Sequence, residues 1–317
     1  MSSKKKISFL RQMGFVLEAV TVIPLGTLGA FLPLKAGRRL ASLGGLLAYS
    51  FNRRGRSYAR DNLDIIYSEK PLSEGEKDEI IKRLFKNIAS SAFEYLKIGD
   101  LTQDNHQEFV QIEDLEAFER AFSEKGGVLA ISAHIGNWEY LGGICAKFGR
   151  NTAAVIHRQI NPYTDKWLKN IREKKGGVKC IYNETSHMRE TINHLRRGGM
   201  LAILADESYS NKPVFVPLFG RRCATPDGPA KLHLRYGSPI FLSFLIKQDD
   251  GKYLLLCYGP YHFKKTDYFK KDCERIMTFI NRKYEGVIKE YPDQWFSLLT
   301  PRWERSRPED FENRGPR

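Results

Sequence analysis

The feature that most constrains the fold is an alternation, beginning near residue 126, of short apolar runs with amphipathic stretches. The apolar runs at 128–133, 152–157, 178–183 and 200–205 are nearly unbroken and contain β-branched residues, which is typical of buried strands. The stretches at 138–148, 162–173 and 186–197 between them are predicted to be helices. This order predicts βαβ units and a largely parallel sheet with helices on both faces.

Three other segments refine this prediction. Residues 239–259 form two apolar runs separated by Asp249-Asp250-Gly251, which indicates a β-hairpin and therefore a mixed sheet. Residues 72–98 predict a helix that Ser73 can cap, with Glu76 three residues on, and a long helix is expected over 268–289. The predicted fold class is α/β, with a central mixed, mostly parallel sheet flanked by helices.

The N-terminal region has the character of a membrane-binding helical arm. Residues 15–34 are largely apolar and are about as long as a bilayer-spanning helix, but Glu18, Pro24 and Pro33 interrupt them, and a second apolar patch follows at 40–51. A cleaved signal peptide is a poor match, because the apolar run contains an acidic residue and no small-residue cleavage site ends it. A single span, an interfacial helix pair and a buried core helix all stay open. The predicted domains are this arm at 1–58 and an α/β domain at 59–317.

The charge balance predicts an anionic partner. The chain has 51 Lys and Arg against 37 Asp and Glu, a formal net charge of +14. An acidic membrane surface, an acidic protein or substrate, and nucleic acid would each fit. Nucleic acid ranks low, since no basic tract interleaved with aromatic residues and no zinc-finger or RNP-like string occurs. Basic residues at 4–6, Arg53, Arg54 and Arg56 flank the apolar arm and suit an anionic cytoplasmic leaflet.

Neither a metal site nor a cofactor is predicted. The five cysteines are widely spaced, odd in number and without a C-x-x-C pair, which favours buried, inert thiols in a reducing compartment. The H-E-x-x-H pattern of a zinc helix is absent, as are the G-x-S-x-G elbow and the P-loop.

His134 is the strongest candidate for chemistry. It follows the predicted strand 128–133, and the carboxyl ends of parallel strands face the ligand crevice of α/β proteins. Glu139 meets His134 only if the histidine lies in a loop and the acid in the first helical turn, with Gly136 giving the turn its freedom and Asn137 as N-cap. A carboxylate beside the imidazole would let it take a proton from an alcohol near neutral pH. On spacing alone, a lone histidine after a strand is more often structural.

A family resemblance supports the catalytic interpretation. The segment AHIGNWE resembles the H-x4-D/E motif of the lysophospholipid acyltransferase superfamily, and its surroundings resemble the bacterial lipid A biosynthesis acyltransferases, the lauroyl and myristoyl transferases. Further ordered blocks resemble that family: RDNLDIIYSE (60–69), VIHRQINP (155–162), AILADES (202–208), VPLFGRRCATPDGPAKL (216–232) and the ending YPDQWFSLLTPRWERSRP. The chain departs from the family pattern at Glu207, where many members have glutamine, and over 296–301. Both departures bear on specificity rather than on the type of reaction.

The resemblance implies an O-acyltransferase at the cytoplasmic face of the inner membrane. It would move a fatty acyl group from an acyl-carrier-protein thioester to a hydroxyl of a lipid A precursor, an anionic glycolipid. His134 would be the general base, assisted by Glu139. The substrate-binding candidates are Arg158, which could hold an acceptor phosphate, Asp206, which could orient Arg158 or a substrate hydroxyl, Asn137 and Arg302.

Two alternatives remain at this point. One is an acyltransferase that modifies another glycolipid, a glycerophospholipid or an aminolipid. The other is a non-catalytic membrane- or nucleic-acid-binding protein, in which His134 and Glu139 are dispensable and binding follows charge alone.

Overall fold

The computed structural model describes residues 9–100, 102, 105–208 and 213–303, so the basic cluster at 4–6 lies outside the described residues. The helices are α1 (Phe9–Gly29), α2 (Leu34–Phe51), α3 (Arg53–Ile66), α4 (Glu74–Leu96), α5 (His106–Phe109), α6 (Leu115–Ser123), α7 (Trp138–Lys147), α8 (Pro162–Asn170), α9 (Met188–Arg196), α10 (Gly228–Tyr236) and α11 (Phe269–Glu290). The strands are β1 (Val110–Ile112), β2 (Val128–Ser132), β3 (Thr152–Ile156), β4 (Lys179–Tyr182), β5 (Met200–Leu204), β6 (Val214–Leu218), β7 (Arg221–Thr225), β8 (Ile240–Lys247) and β9 (Tyr253–Tyr261).

Seven strands form the central sheet in the order β1-β9-β8-β2-β5-β3-β4. Strands β8, β2, β5, β3 and β4 run parallel to one another. Strand β9 is antiparallel to β8, and β1 pairs with β9 in parallel. The prediction of a mixed, mostly parallel sheet is therefore confirmed. The ends of the parallel strands that lead to Lys247, His134, Asp206, Arg158 and Asn183 share one side of the sheet, which we call the carboxyl edge.

Side-chain alternation along the strands separates the core into two layers. In β2, Leu129 and Ile131 belong to one hydrophobic cluster and Val128 and Ala130 to another, because successive side chains of a strand point to opposite faces. Helices α3, α4 and α11 contribute to the first cluster, and α6 and α7 to the second. Both faces are thus covered by helices, and this is why β2 is buried along its whole length.

Helix α1 exposes most of its apolar surface. Its stretch Arg11–Gly29 is long and apolar enough to cross a membrane, and 11% of that window is buried inside the protein. Phe15 and Ala19 are buried, and the Asn161 side chain donates to the Phe15 carbonyl oxygen at 2.9 Å, so one side of α1 rests on the start of α8. The core-helix alternative is therefore wrong. The exposed apolar residues are Met13, Val16, Leu17, Val20, Val22, Leu25 and Leu28 on α1, and Leu40, Leu43, Leu47 and Phe51 on α2.

Helix α2 packs closely on α4 through glycines. A Cβ atom at Gly37 would run into the ring of Phe93, and one at Gly45 would run into the carbonyl oxygen of Phe85. The backbones can therefore approach more closely than larger residues would allow. Helix α3 spans the predicted domain boundary between residues 58 and 59, so the arm continues into the α/β part of the chain without a break. The division into 1–58 and 59–317 stays a prediction.

The structure contains the predicted helix cap and the predicted helices, with small shifts in where the helices end. The Ser73 hydroxyl accepts from the Glu76 amide at 3.3 Å and the Glu76 carboxylate accepts from the Ser73 amide at 2.8 Å, which confirms the capping box. The helix predicted over 162–173 ends earlier, at Asn170, and continues as a π-helical turn, Ile171–Lys175. Strand β1 and the two-stranded β6–β7 ribbon were not predicted. All five cysteines are free and buried, as expected.

Candidate active site

The loop that carries His134 is held rigidly at the carboxyl edge. It joins β2 to α7, and Gly136 adopts a positive φ of 62° within it. The Gly136 amide donates to the Gln294 carbonyl oxygen at 2.9 Å, and the Asn137 amide donates to the Leu245 carbonyl oxygen at 2.8 Å. A Cβ atom at Gly136 would collide with the Leu245 carbonyl oxygen, so the loop needs glycine for both its conformation and its space.

His134 is hydrogen-bonded to Asp206. The distance between His134 Nδ1 and Asp206 Oδ1 is 2.8 Å. The sheet register explains this pairing: Ser132 of β2 lies opposite Leu204 of β5, and each of the two functional residues comes two positions later. Asp206 is buried, whereas the His134 side chain is 24% exposed. The bond to Nδ1 leaves Nε2 as the ring nitrogen that can face a substrate.

The C-terminal segment anchors this pair from behind. Asp206 Oδ2 accepts hydrogen bonds from Trp295 Nε1 at 3.0 Å and from the Ser297 hydroxyl at 2.8 Å. The Phe296 amide donates to the His134 carbonyl oxygen at 2.7 Å. Both carboxylate oxygens of Asp206 are therefore satisfied, which fixes its orientation toward the imidazole.

The electrostatics of the pair favour a charged imidazolium. Burial by itself would lower the pKa of His134, but the Asp206 carboxylate, with smaller contributions from Glu207 and Glu139, raises that pKa above its ordinary value. Burial would likewise raise the pKa of Asp206, but the imidazole and the hydrogen bonds from Trp295 and Ser297 lower it. The carboxylate thus stays ionised and stabilises a proton on the ring.

Glu139 does not form the expected hydrogen bond with His134. It lies in the first turn of α7, and its carboxylate pairs with Arg172 through two hydrogen bonds, Nε to Oε2 at 3.0 Å and Nη2 to Oε1 at 2.5 Å. Arg172 comes from the unpredicted π-helical turn and stacks 5.5 Å from the centre of the Tyr95 ring. Burial would lower the pKa of Arg172, but Glu139 raises it. Asp206 therefore occupies the position beside the imidazole that spacing had suggested for Glu139.

Asn137 and Arg302 lie inside the protein rather than at a surface open to substrate. Asn137 is 1% exposed, caps α7 by accepting from the Tyr140 amide at 3.1 Å, and donates from Nδ2 to Glu94 and Tyr253. Arg302 is 7% exposed, and its Nη1 donates to a carbonyl oxygen of β7 at 3.0 Å. Both residues therefore make hydrogen bonds within the protein, and their predicted roles in substrate binding stay predictions.

Arg158 stands at the carboxyl edge with its side chain 55% exposed. Its Nε donates to Glu184 Oε1 at 2.6 Å, and its guanidinium lies 3.8 Å from the centre of the Tyr182 ring. The hydrogen bond to Glu184 raises the pKa of Arg158. Because this ion pair is exposed, the guanidinium can exchange its carboxylate for a stronger anion at low cost. Ile160, two residues later in the sequence, is an exposed apolar side chain.

The aromatic surroundings of His134 were only partly predicted. The ring centres of Trp138 and Phe296 lie 5.4 Å and 6.3 Å from that of His134. Neither Trp295 nor Ser297 was predicted to be part of the site; Trp295 belongs to the C-terminal block that resembles the family, and Ser297 lies in the divergent segment 296–301. Glu207 accepts a hydrogen bond from the Thr300 hydroxyl at 2.8 Å, so the departure from the family pattern at this position contacts the divergent segment 296–301.

The fold and the site define a class of protein: an α/β protein with a histidine–carboxylate pair at its sheet edge and an exposed apolar arm, a combination that suits an enzyme acting on lipids at a membrane surface. Comparison with known sequences gives the particular family. The model of the bacterial lipid A biosynthesis acyltransferases matches residues 2–305, and the chain belongs to this family.

Curated relatives are distant but cover most of the chain. It is 21% identical over 256 residues to the lipid A biosynthesis palmitoleoyltransferase of Escherichia coli (strain K12), which is 79% of either chain. It is 22% identical over 299 residues to the phosphatidylinositol mannoside acyltransferase of Mycolicibacterium smegmatis, which is 89% of this chain and 93% of the relative.

Proposed function

We propose that this protein transfers a fatty acyl group from an acyl-carrier-protein thioester to a hydroxyl of a lipid A precursor, at the cytoplasmic face of the inner membrane. The observation that carries the proposal is the 2.8 Å hydrogen bond between His134 Nδ1 and a buried, ionised Asp206, which leaves Nε2 available at the carboxyl edge. Family membership supports acyl transfer as the reaction.

In the proposed reaction His134 acts as general base. Nε2 removes the proton of the acceptor hydroxyl while the hydroxyl oxygen attacks the carbonyl carbon of the thioester. The tetrahedral intermediate collapses, the carbon–sulfur bond breaks, and the departing thiolate takes the proton from the imidazolium. Asp206 stabilises the imidazolium throughout, as a buried carboxylate does in a catalytic triad. General-base assistance of this kind is worth roughly 10²–10⁴-fold in rate.

Glu139 has a supporting role in this proposal. Its negative charge contributes to the raised pKa of His134, and its two hydrogen bonds to Arg172 fix the first turn of α7 close behind the catalytic loop. Arg158 is the proposed phosphate-binding residue, because it is exposed at the same edge and its guanidinium can contact two phosphate oxygens at once. In this proposal the buried residues Asn137 and Arg302 support the site from inside the protein, and Arg158 is the residue that meets the acceptor phosphate.

The apolar arm provides access to a lipid acceptor. The exposed faces of α1 and α2 are apolar, and Arg53 and Arg54, which follow α2, are exposed cations. This arrangement suits a leaflet with anionic head groups, which attract nearby basic residues. The net charge of +14 would also steer an acidic carrier protein to the enzyme.

A second acceptor class has specific support. The phosphatidylinositol mannoside acyltransferase covers more of the chain than the E. coli enzyme does, so a different phosphorylated glycolipid is an alternative acceptor.

One assay separates these cases. Purified protein in phospholipid vesicles is given an acyl-carrier-protein or coenzyme A thioester as donor, and either a lipid A precursor or a mannosylated phosphatidylinositol as acceptor. The products are identified by mass spectrometry. The proposal expects acylation of the lipid A precursor from the carrier protein. No acylated product with any donor would refute acyl transfer and favour a non-catalytic binding protein.

A further inference from the structure

A buried carboxylate that the proposed reaction does not use lies behind the catalytic loop. Glu94, near the end of α4, is 0% exposed. Two cations, Arg38 and Lys247, form ion pairs with it, the latter at 3.0 Å. Among the described residues, the donors to its two oxygens are Arg38 Nε, Lys247 Nζ and Ser90 Oγ on Oε1, and Asn137 Nδ2 and Tyr253 OH on Oε2. We call these six residues the Glu94 cluster.

The buried charge of Glu94 constrains the positions of the groups around it. A buried carboxylate is tolerated only when its lone pairs are satisfied by donors in good positions, and a missing donor leaves an uncompensated charge. The atoms around Glu94 therefore have one favourable arrangement, which involves three separate parts of the chain: the arm, the β8–β9 hairpin and the loop between β2 and α7.

One side of the cluster reaches the catalytic loop by two routes. Asn137, three residues after His134, donates to Glu94 Oε2 at 2.9 Å while its other amide atom caps α7. The Lys247 backbone amide donates to Gln294 Oε1 at 2.9 Å, and the Gln294 carbonyl oxygen accepts from the Gly136 amide at 2.9 Å. The loop is therefore connected to the cluster both through its own side chain and through its backbone partner.

The other side of the cluster reaches the arm. Arg38 lies on α2, and in addition to its contact with Glu94 its Nη1 donates to the Gly251 carbonyl oxygen in the β8–β9 turn at 2.8 Å. Next to it, Gly37 lets α2 lie directly against Phe93 of α4. The opposite side of the same helix carries the exposed leucines Leu40, Leu43 and Leu47. A single helix thus presents an apolar face outward and a cation inward to the cluster.

We propose that Arg38 and Glu94 are positioning residues, through which the seating of α2 on the α/β domain fixes the loop that holds His134. The expected effect on kcat rests on the proposed function, whereas the expected effect on the conformation of the loop does not. With Arg38 in place, Glu94 holds Asn137 and the loop keeps its geometry. Without Arg38, the loop gains freedom although α2 still has its apolar face and its glycine contacts.

The test compares Arg38→Met with Arg39→Met in the full-length protein in vesicles. Each variant replaces one cation of α2 with an uncharged side chain of similar length, but Arg39 is exposed and is not one of the residues of the Glu94 cluster. Arg38→Met leaves Lys247 to neutralise Glu94, so folding should be retained. The expected result is a fall in kcat of about tenfold or more for Arg38→Met with KM nearly unchanged, since small misplacements of a reacting group are costly. Arg39→Met should match the wild type, and Arg38→Lys should recover part of kcat.

Hydrogen exchange provides a readout that does not depend on turnover. The amides of Gly136 and Asn137, which donate to Gln294 and Leu245, should exchange about tenfold faster or more in Arg38→Met than in Arg39→Met, while amides of the central strands stay unchanged. Equal exchange in the two variants would overturn the inference, and so would an increase spread over the whole protein with a matching fall in melting temperature. If the wild type shows no acyl transfer, the proposed function fails, but faster exchange confined to this loop would still support the positioning role.

Discussion

Replacing Asp206 with asparagine tests the catalytic pair directly, because the change keeps the size of the side chain and alters its chemistry. In the wild type, Trp295 Nε1 and the Ser297 hydroxyl donate to Oδ2 at 3.0 Å and 2.8 Å, and Oδ1 accepts from His134 Nδ1. An amide at this position must turn its oxygen toward the two donors, and its NH₂ group then faces His134. The imidazole has to accept at Nδ1 and carry its proton on Nε2, which is the wrong tautomer for a base acting through Nε2.

The expected loss follows from this tautomer. General-base assistance is worth roughly 10²–10⁴-fold, so kcat of Asp206→Asn should fall by about that factor. The KM of the acceptor should change little, because Asp206 is buried and in the proposed reaction acts only through His134. Initial rates of lipid acylation over a range of acceptor concentrations give both values. Ser297→Ala, which removes one donor and keeps the carboxylate, is the matched control and should lose less than about tenfold. A kcat for Asp206→Asn within about threefold of the wild type would refute the reasoning.

The pH dependence of the same variant has a defined sign. Burial would lower the pKa of His134 and Asp206 raises it, so without the carboxylate the acid limb of the kcat profile should move to lower pH. The shifted pKa values also make the stability of the fold depend on pH. Because the pKa of His134 is raised in the folded state, the pair with Asp206 stabilises the fold fully below the unfolded pKa of about 6.5, and this stabilisation is lost as pH rises through the folded pKa. Because the pKa of Asp206 is lowered in the folded state, its carboxylate stabilises the fold above the unfolded pKa of about 3.9, and this stabilisation is lost as pH falls through the folded pKa. The melting temperature of Asp206→Asn should therefore fall most between about pH 4 and 6.5.

Three further variants examine the surroundings of the pair. Gly136→Ala should destabilise the protein by about 1–3 kcal/mol or more in thermal unfolding, since the backbone is strained there for other residues and the methyl group meets the Leu245 carbonyl oxygen; an unchanged midpoint would contradict this. Arg158→Met should raise the KM of a phosphorylated acceptor about 10–100-fold and leave kcat alone, and an equal effect on a dephosphorylated acceptor would argue against phosphate binding. Glu139→Gln should lower stability by about 1–3 kcal/mol by depriving Arg172 of its partner, but lower kcat less than loss of the carboxylate bonded to the imidazole; the reverse order would make Glu139 the catalytic partner.

Most of the fold could be predicted because its signals are local. Buried parallel strands are short apolar runs and the helices between them are amphipathic, so both ends of each strand from β2 to β5 were predicted to within one residue. The β6–β7 ribbon was missed, since Pro217 interrupts its strand pattern and Phe219, at the turn, has a positive φ that few side chains adopt. The order of the strands, with β8 next to β2, depends on long-range packing that no local pattern reports.

The site was predicted only in part for the same reason. Spacing along the chain pointed from His134 to Glu139, five residues later, because local reasoning considers near neighbours. The actual partner is Asp206, which the pairing of β2 with β5 brings opposite His134 from 72 residues away. One signal was present: His134 and Asp206 each come directly after a predicted apolar strand, 128–133 and 200–205. Using it requires knowing that these two strands are neighbours in the sheet.

The central claim is that the imidazole of His134 is the base in acyl transfer to a lipid. The most direct measurement is the mass of the lipid product formed by the wild type and by His134→Ala, at equal amounts in the same vesicles with the same acyl-carrier-protein thioester. We expect an acceptor heavier by one acyl chain with the wild type, and a rate at least about 10²-fold lower with the variant, which should keep its melting temperature and vesicle binding. Equal product from both proteins would contradict this claim.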